Sequence, residues 1–358
     1  MSLKFHNVSK LAAATLIVGS TLFTSAHAVQ FSYLDPAYEQ DIYTADLPTG
    51  WGPGFAWNDA GNMILRGSNV LYEYSLADDT VYNGTDVHSY TAHAIAGLGF
   101  GYGMTNGTDG YVYANTSSGI QQIDLNTWTV TQTFAGSTGG TYGIGTLPDG
   151  RIVHNDNYRI WILDPTTGVD TLVYSQASFI DDIAVSPTGE IFLADLGSSR
   201  LVVINDTGTV INTVNTTHAP DGMAFGDGAA FANNTDGTIT RIDFAGAGYT
   251  GAATETIFAS GGNYGDLAAV GPDGAFYVSQ WYGVDWGDAE TTMTTGGSTI
   301  VRISLIGGGS TGGGGFDPSP GTGPAPDPTT GVPAPGAGIL FATGILGMMF
   351  RRKKIINS

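Results

Sequence analysis

One motif recurs along this chain at nearly even spacing: a tight turn ending in glycine, with a short apolar strand on either side. The turns read Asn58-Asp59-Ala60-Gly61, Gly107-Thr108-Asp109-Gly110, Pro148-Asp149-Gly150, Pro187-Thr188-Gly189, Gly226-Asp227-Gly228 and Pro272-Asp273-Gly274. Successive glycines lie 49, 40, 39, 39 and 46 residues apart. Proline presets φ early in such a turn, Asp bonds the local backbone and Gly tolerates φ > 0. A third strand follows in every unit (201–205 and 239–244, for example) and a fourth, weaker one in most, such as 209–214. Four strands per ~40 residues, six times over, predict an all-β chain folded as a six-bladed β-propeller of four-stranded blades. A solenoid of six β-repeats has the same period. The sixth unit stops after its third strand at Leu305, so its outer strand must come from elsewhere. The strand-like pieces 31–33 and 42–44 are the candidates to close the ring.

The two ends carry a different kind of information. Residues 1–28 combine Lys4 and Lys10, an apolar stretch from Leu11 to Phe23 and the small-x-small triplet Ala26-His27-Ala28. That order predicts a signal helix cleaved between Ala28 and Val29. At the other end Val332-Pro333-Ala334-Pro335 precedes an apolar run from Gly336 to Phe350, followed by Arg351-Arg352-Lys353-Lys354. Fifteen helical residues reach ~22 Å, short of a ~30 Å hydrocarbon core. The order of Pro motif, Gly-rich apolar helix and basic end resembles the PEP-CTERM sorting signal, although Ala334 stands where that family usually has Glu. The resemblance implies an exosortase-type processing enzyme as partner and transient anchoring in the inner membrane through this segment. An ordinary C-terminal anchor is the other reading. The expected division is thus a signal peptide at 1–28, the propeller at 29–306, a Gly/Pro-rich linker at 307–331 and the sorting segment with its hydrophobic helix at 332–358.

Charge separates the same regions. Of 12 Lys and Arg, six lie in the terminal segments, whereas all 32 Asp and Glu lie between them, leaving the body with six arginines and a net charge of −26. Such a body repels nucleic acid and excludes it as a partner. Two readings of the acidity stand: solvation in a saline habitat, or the gathering of divalent cations. The chain has no cysteine, so disulfides, thiolate metal sites and Cys nucleophiles are all excluded.

Pro220-Asp221-Gly222-Met223-Ala224 and Ile191-Phe192-Leu193-Ala194-Asp195 resemble the NHL, YVTN and senescence-marker/gluconolactonase (SMP-30-like) propellers. Aligning the units on their turn glycine puts Pro53, Tyr102, Tyr142, Asp181, Asp221 and Asp266 at the start of each first strand. A second set, six residues after each glycine, reads Gly67, Thr116, Asp156, Asp195, Asn234 and Gln280. Both are expected around one mouth of the central channel, with His154 and Asn155 bordering it. Asp181, Asp221 and Asp266, backed by Asp195 and Asn234, form a candidate site for a hard cation, Ca²⁺ or Mg²⁺. The gluconolactonase resemblance implies a divalent metal here and matches Asp221 to a family ligand. The other reading is that these aspartates bond turn amides. A long insertion, 281–298, carries Trp281, Tyr282 and Trp286 beside Asp285, Asp288 and Glu290 and is expected on the same face. With Tyr102, Tyr142 and His154 it makes a candidate ligand-binding surface; it also reads as a lid packed over the channel.

No Gly-x-Ser-x-Gly elbow, His-Glu-x-x-His motif or phosphate-cradling loop is present. The expectation is therefore an exported surface or extracellular-matrix protein whose propeller binds an exopolysaccharide or a surface protein through one loop face. The alternative is a divalent-metal-dependent lactonase or lyase, and a third is a purely structural coat.

Overall fold

The computed structural model describes residues 31–44, 53–67, 69–75, 90–134, 142–282 and 297–306. The expected terminal helices, the linker, the Val332–Pro335 motif (332–335), the Ala28/Val29 cleavage point and Trp286 lie outside these residues. Among the described residues there is no α-helix, and no helix long and apolar enough to cross a membrane.

Each of the six units folds as an antiparallel sheet, and the six sheets are the blades of a propeller. The first strands run Phe55–Trp57, Met104–Asn106, Ile144–Thr146, Ile183–Val185, Pro220–Gly226 and Tyr264–Val270. All six turn glycines sit in the left-handed region, at φ between 69° and 96°, as the motif requires. Within a blade the strands pair in sequence order; in blade 3, for instance, Ile144 lies opposite His154 and Asn155 opposite Ile160.

The ring closes with the N-terminal strand Tyr38–Thr44, which pairs with Gly297–Leu305 and becomes the outer strand of blade 6. Tyr38 lies opposite Leu305 and Ile42 opposite Val301. The earlier piece is used as well, one blade away: Tyr33–Leu34 adds a fifth strand to blade 5 along Ala253–Ser260.

A blade is apolar on both faces because each packs between two others. Six hydrophobic clusters result among the described residues, one per blade interface. The closing interface, between blades 6 and 1, contains Tyr43, Phe55, Met63, Tyr277 and Ile300. Tyr43 and Tyr277 meet edge to face at 5.5 Å. Around the channel the first strands approach backbone to backbone. A Cβ on Gly222 would sit 1.9 Å from the Asp266 carbonyl oxygen, and one on Gly103 would sit 1.7 Å from that of Tyr142. Only glycine permits that approach.

Candidate metal centre

That close approach sets the site. Asp221 immediately precedes Gly222, so the contact between blades 5 and 6 brings Asp221 beside Asp266. In blade 4, Asp181 N–H donates to the Ala194 carbonyl at 2.9 Å and its own carbonyl accepts from Gly143 at 2.9 Å. With its main chain held, the Asp181 side chain joins the other two. One oxygen from each of Asp181, Asp221 and Asp266 lies within 4.8 Å of the others. Asp181 and Asp221 are only 5% and 4% exposed. Asp181 Oδ2 is buried and accepts no hydrogen bond.

The electrostatics of this cluster disfavour full ionisation. Burial, then the charge of Asp221 and the more distant Asp266, push the Asp181 carboxyl well above the usual carboxylate range. Burial also raises Asp221, against hydrogen bonds from Asp181 and the Tyr264 phenol. Two buried carboxylates in contact cannot both ionise without a compensating charge. Among the described residues no arginine supplies it to this pair. Arg151 pairs with Asp149 and Asp206, Arg159 with Asp156, Arg200 with Asp195, Arg241 with Asp227 and Asp243, and Arg302 with Asp273. The sixth, Arg66, is fully buried against backbone carbonyls, and burial lowers its pKa to about 9.

Three carboxylate oxygens within 4.8 Å of one another are close enough to share one hard cation, Ca²⁺ or Mg²⁺.

The other half of the mouth is aromatic. Tyr102 and Tyr142 stack with centroids 5.4 Å apart and planes at 20°. Tyr142 is raised by burial and by the neighbouring Asp181, Asp266 and Asp221, and Tyr102 is raised to about 12 by burial, Tyr142 and Asp266. Both keep their phenolic protons at neutral pH.

Three residues of the second set are engaged within their own blades. Asp195 is fully buried, paired with Arg200 and bonded by Ser178. Asn234 donates to Thr238 and Thr240 inside its own blade, and Asp156 receives the Arg159 N–H and Trp161 Nε1. These residues fasten the hairpins between second and third strands; Asp195 takes no part in the carboxylate cluster, and the Asn234 Oδ1 is buried without a hydrogen-bond partner. His154 is fully buried and reaches Asp170 on the outer strand of its blade, away from the mouth. Alternation in the strand explains this. Asn155, one residue on, faces blade 4 and donates to the Ile180 and Asp181 carbonyls at 2.9 Å. Trp281 is 5% exposed and contacts Tyr264, so it is core and not an exposed loop aromatic. Strand pairing continues through Tyr282 opposite Gly297, which shortens the insertion to 283–296.

Sequence reasoning missed the ring that holds the mouth together. Five residues after the turn glycines come Arg66, Asn115, Asn155 and Asn233, each reaching backbone carbonyls of the next blade. The pattern fails at Ser279, which donates to the Leu267 carbonyl of its own blade, and at Ala194, where the Asp182 side chain bridges instead, accepting from Met223 N at 2.8 Å. Burial raises Asp182 to about 7. The signal was available one position from the one read. Asp182 also lines a cavity of about 620 Å³ with Phe55, Met104, Ile183 and Leu267, toward the opposite end of the channel. None of the three clustered carboxylates lines it.

No protein-family model matches the chain, and no curated protein matches it. Solved structures do resemble it. Virginiamycin B lyase from Staphylococcus aureus is 15% identical with a TM-score of 0.52, covering 75% of this chain and 100% of its own. A Thermus thermophilus protein described as a glucose dehydrogenase is 16% identical with a TM-score of 0.55, covering 74% and 99%. A protein described as a gluconolactonase is 13% identical with a TM-score of 0.51, covering 75% and 93%. At such identities the likeness is one of architecture: this chain has the six-bladed propeller fold of these proteins.

Proposed function

We propose that this protein is a divalent-cation-dependent enzyme of the lactone-hydrolase or lyase class, with its active site at the acidic mouth. The observation that carries the reading is the cluster of Asp181, Asp221 and Asp266, the first two buried, with an oxygen of Asp181 left unpartnered. The all-oxygen donor set fits a hard cation, Ca²⁺ or Mg²⁺. These three residues would hold it, and when bound it supplies positive charge that polarises a substrate carbonyl or carboxylate. The chain's own groups do the remainder. The Tyr264 phenol hydrogen-bonds Asp221 and orients it. Tyr142, which keeps its proton, offers a hydrogen-bond donor to an oxygen gaining charge. The stacked tyrosines cover one side of the mouth and limit water there. Sequence alone favoured a non-catalytic binding module centred on the insertion. The triad lies within the described residues and favours the catalytic reading, and lyase and gluconolactonase are among the descriptions attached to proteins of similar fold.

The test is calorimetric titration of the 29–306 fragment with Ca²⁺, followed by a lactone and lyase substrate panel with and without chelator. Binding lost in Asp221→Ala and turnover lost with chelator support the reading. No divalent-cation binding at millimolar concentration overturns it. The terminal segments add a proposal about place: the chain is exported and held at the surface after processing near Val332–Pro335 (332–335). Fractionation of cells carrying a chain lacking 332–358 tests it, and unchanged surface retention counts against it.

A further inference from the structure

The cavity on the channel axis, away from the triad, has no part in the proposed reaction. Its volume is about 620 Å³, and Phe55, Met104, Ile183, Phe225, Leu267 and Val270 make its walls largely apolar. An apolar space of ~150 Å³ already admits a benzene ring. The turn residues Asp59, Pro272 and Gly274 also line it, which places its rim where first and second strands join. The chain leaves the propeller at that same end. Phe276 lies opposite Ile303, so Leu305, the last residue of the third strand of blade 6, stands level with Gly274. Neighbouring strands are ~4.8 Å apart, which puts this third strand about 10 Å from the first strand that lines the cavity. Beyond Ile306 come the 25 residues 307–331, all glycine, proline, serine, threonine, alanine or aspartate except Phe316. A stretch of this composition buries no apolar surface of its own, so its one large ring gains only by entering a pocket elsewhere.

From the cavity and the chain's exit beside it we infer that Phe316 docks in the channel from the turn side, an intramolecular plug supplied by this chain's own linker. Ten residues separate Ile306 from Phe316 and reach up to ~35 Å when extended, well beyond the distance to be crossed. The four glycines 312–315 let the chain fold back toward the axis, and Pro318 and Pro320 stiffen the part that departs. The contact need not be strong. A short flexible tether sets an effective concentration in the millimolar range, so a pocket too weak to hold a free peptide still holds a tethered one. Docking reduces the free linker from 25 residues to the 15 of 317–331, and the tail then departs from the channel axis at the end away from the triad. The inference needs neither the cation nor the proposed reaction.

The test uses the full chain, which has no cysteine, so that introduced thiols are the only ones present. Asp317→Cys is paired either with Asp59→Cys at the cavity rim or with Asn126→Cys, a turn residue of blade 2 that does not line the cavity. Asp59 and Asn126 are exposed and Phe316 lies outside the blades, so none of the changes touches a core. In dilute protein with a mild oxidant, the Asp59 pair is expected to form its intramolecular disulfide roughly tenfold or more faster than the Asn126 pair. Phe316→Ala is expected to bring the two rates within about twofold of each other, whereas Phe316→Leu, which keeps an apolar side chain, retains most of the difference. Equal rates without any change at Phe316 overturn the inference and leave the cavity open to a small molecule from solution. An advantage that survives Phe316→Ala overturns it too, because something other than the ring would then hold the linker.

Discussion

The two halves of the channel mouth occupy the same place in the repeat and differ in chemistry. Blades 1 to 3 present Pro53, Tyr102 and Tyr142, whereas blades 4 to 6 present Asp181, Asp221 and Asp266. The backbone treats them alike, with Gly103 pressed on the Tyr142 carbonyl as Gly222 is on that of Asp266. Because the fold accepts either a phenol or a carboxylate here, architecture does not explain a triad of acids, two of them buried. The ring five residues after each turn glycine is the opposite case. Its Arg66, Asn115, Asn155 and Asn233 differ in type but all bond carbonyls of the next blade, so their chemistry serves the fold.

The contrast is broken most forcefully at the glycine that creates the acidic half. Gly222→Ala places a methyl 1.9 Å from a carbonyl oxygen, and is expected to cost about 3 kcal/mol or more. Thermal unfolding should show a fall of roughly 6–12 °C, with loss of any stabilisation by Ca²⁺. Next comes Asn155→Ala, which leaves the Ile180 and Asp181 carbonyls without their donor. A loss of about 1–3 kcal/mol is expected in denaturant unfolding, with Asp181 loosened and Ca²⁺ affinity reduced.

The acid half should also respond to pH in a way the aromatic half does not. Asp182 is raised to about 7 by burial, and Asp181 and Asp221 are raised too. A carboxyl raised on folding contributes stability that is complete below its unfolded pKa of about 4 and is lost as pH climbs through its folded value. Cation-free protein should therefore melt several degrees lower at pH 8 than at pH 5. Ca²⁺ should narrow or reverse the gap, and its binding should release protons and strengthen with pH. An unchanged melting temperature across that range would remove the electrostatic account. The smallest expected effect is the sharpest control: Arg200→Gln, which disturbs the Asp195 pair, should alter Ca²⁺ affinity less than about twofold. A larger loss would return Asp195 to the site.

Much of this was legible beforehand because it depends on local rules. Six turns that demand positive φ are visible as glycines, and a fixed interval between them gives blade count and the residues at the start of each first strand. The missing strand of blade 6 was visible as an unpaired edge. What sequence could not give was side-chain direction at the end of the second strand. There a shift of one residue separates His154, which turns to Asp170, from Asn155, which crosses to blade 4. The same shift hid the Asn ring and placed Asp195, which pairs with Arg200, among the carboxylates of the site. Trp281 misled because strand pairing runs further than its composition suggests.

The strand Tyr38–Thr44 has a further meaning for a chain without cysteine. By pairing with Gly297–Leu305 it joins segments some 260 residues apart, so neither end of the propeller can peel away without breaking the same ladder. A disulfide would still constrain the chain after unfolding, whereas this ladder holds the two ends together only in the folded state and is lost cooperatively with it. The barrier to losing that ladder, more than the depth of the native well, would then govern how long the protein lasts in a protease-rich environment.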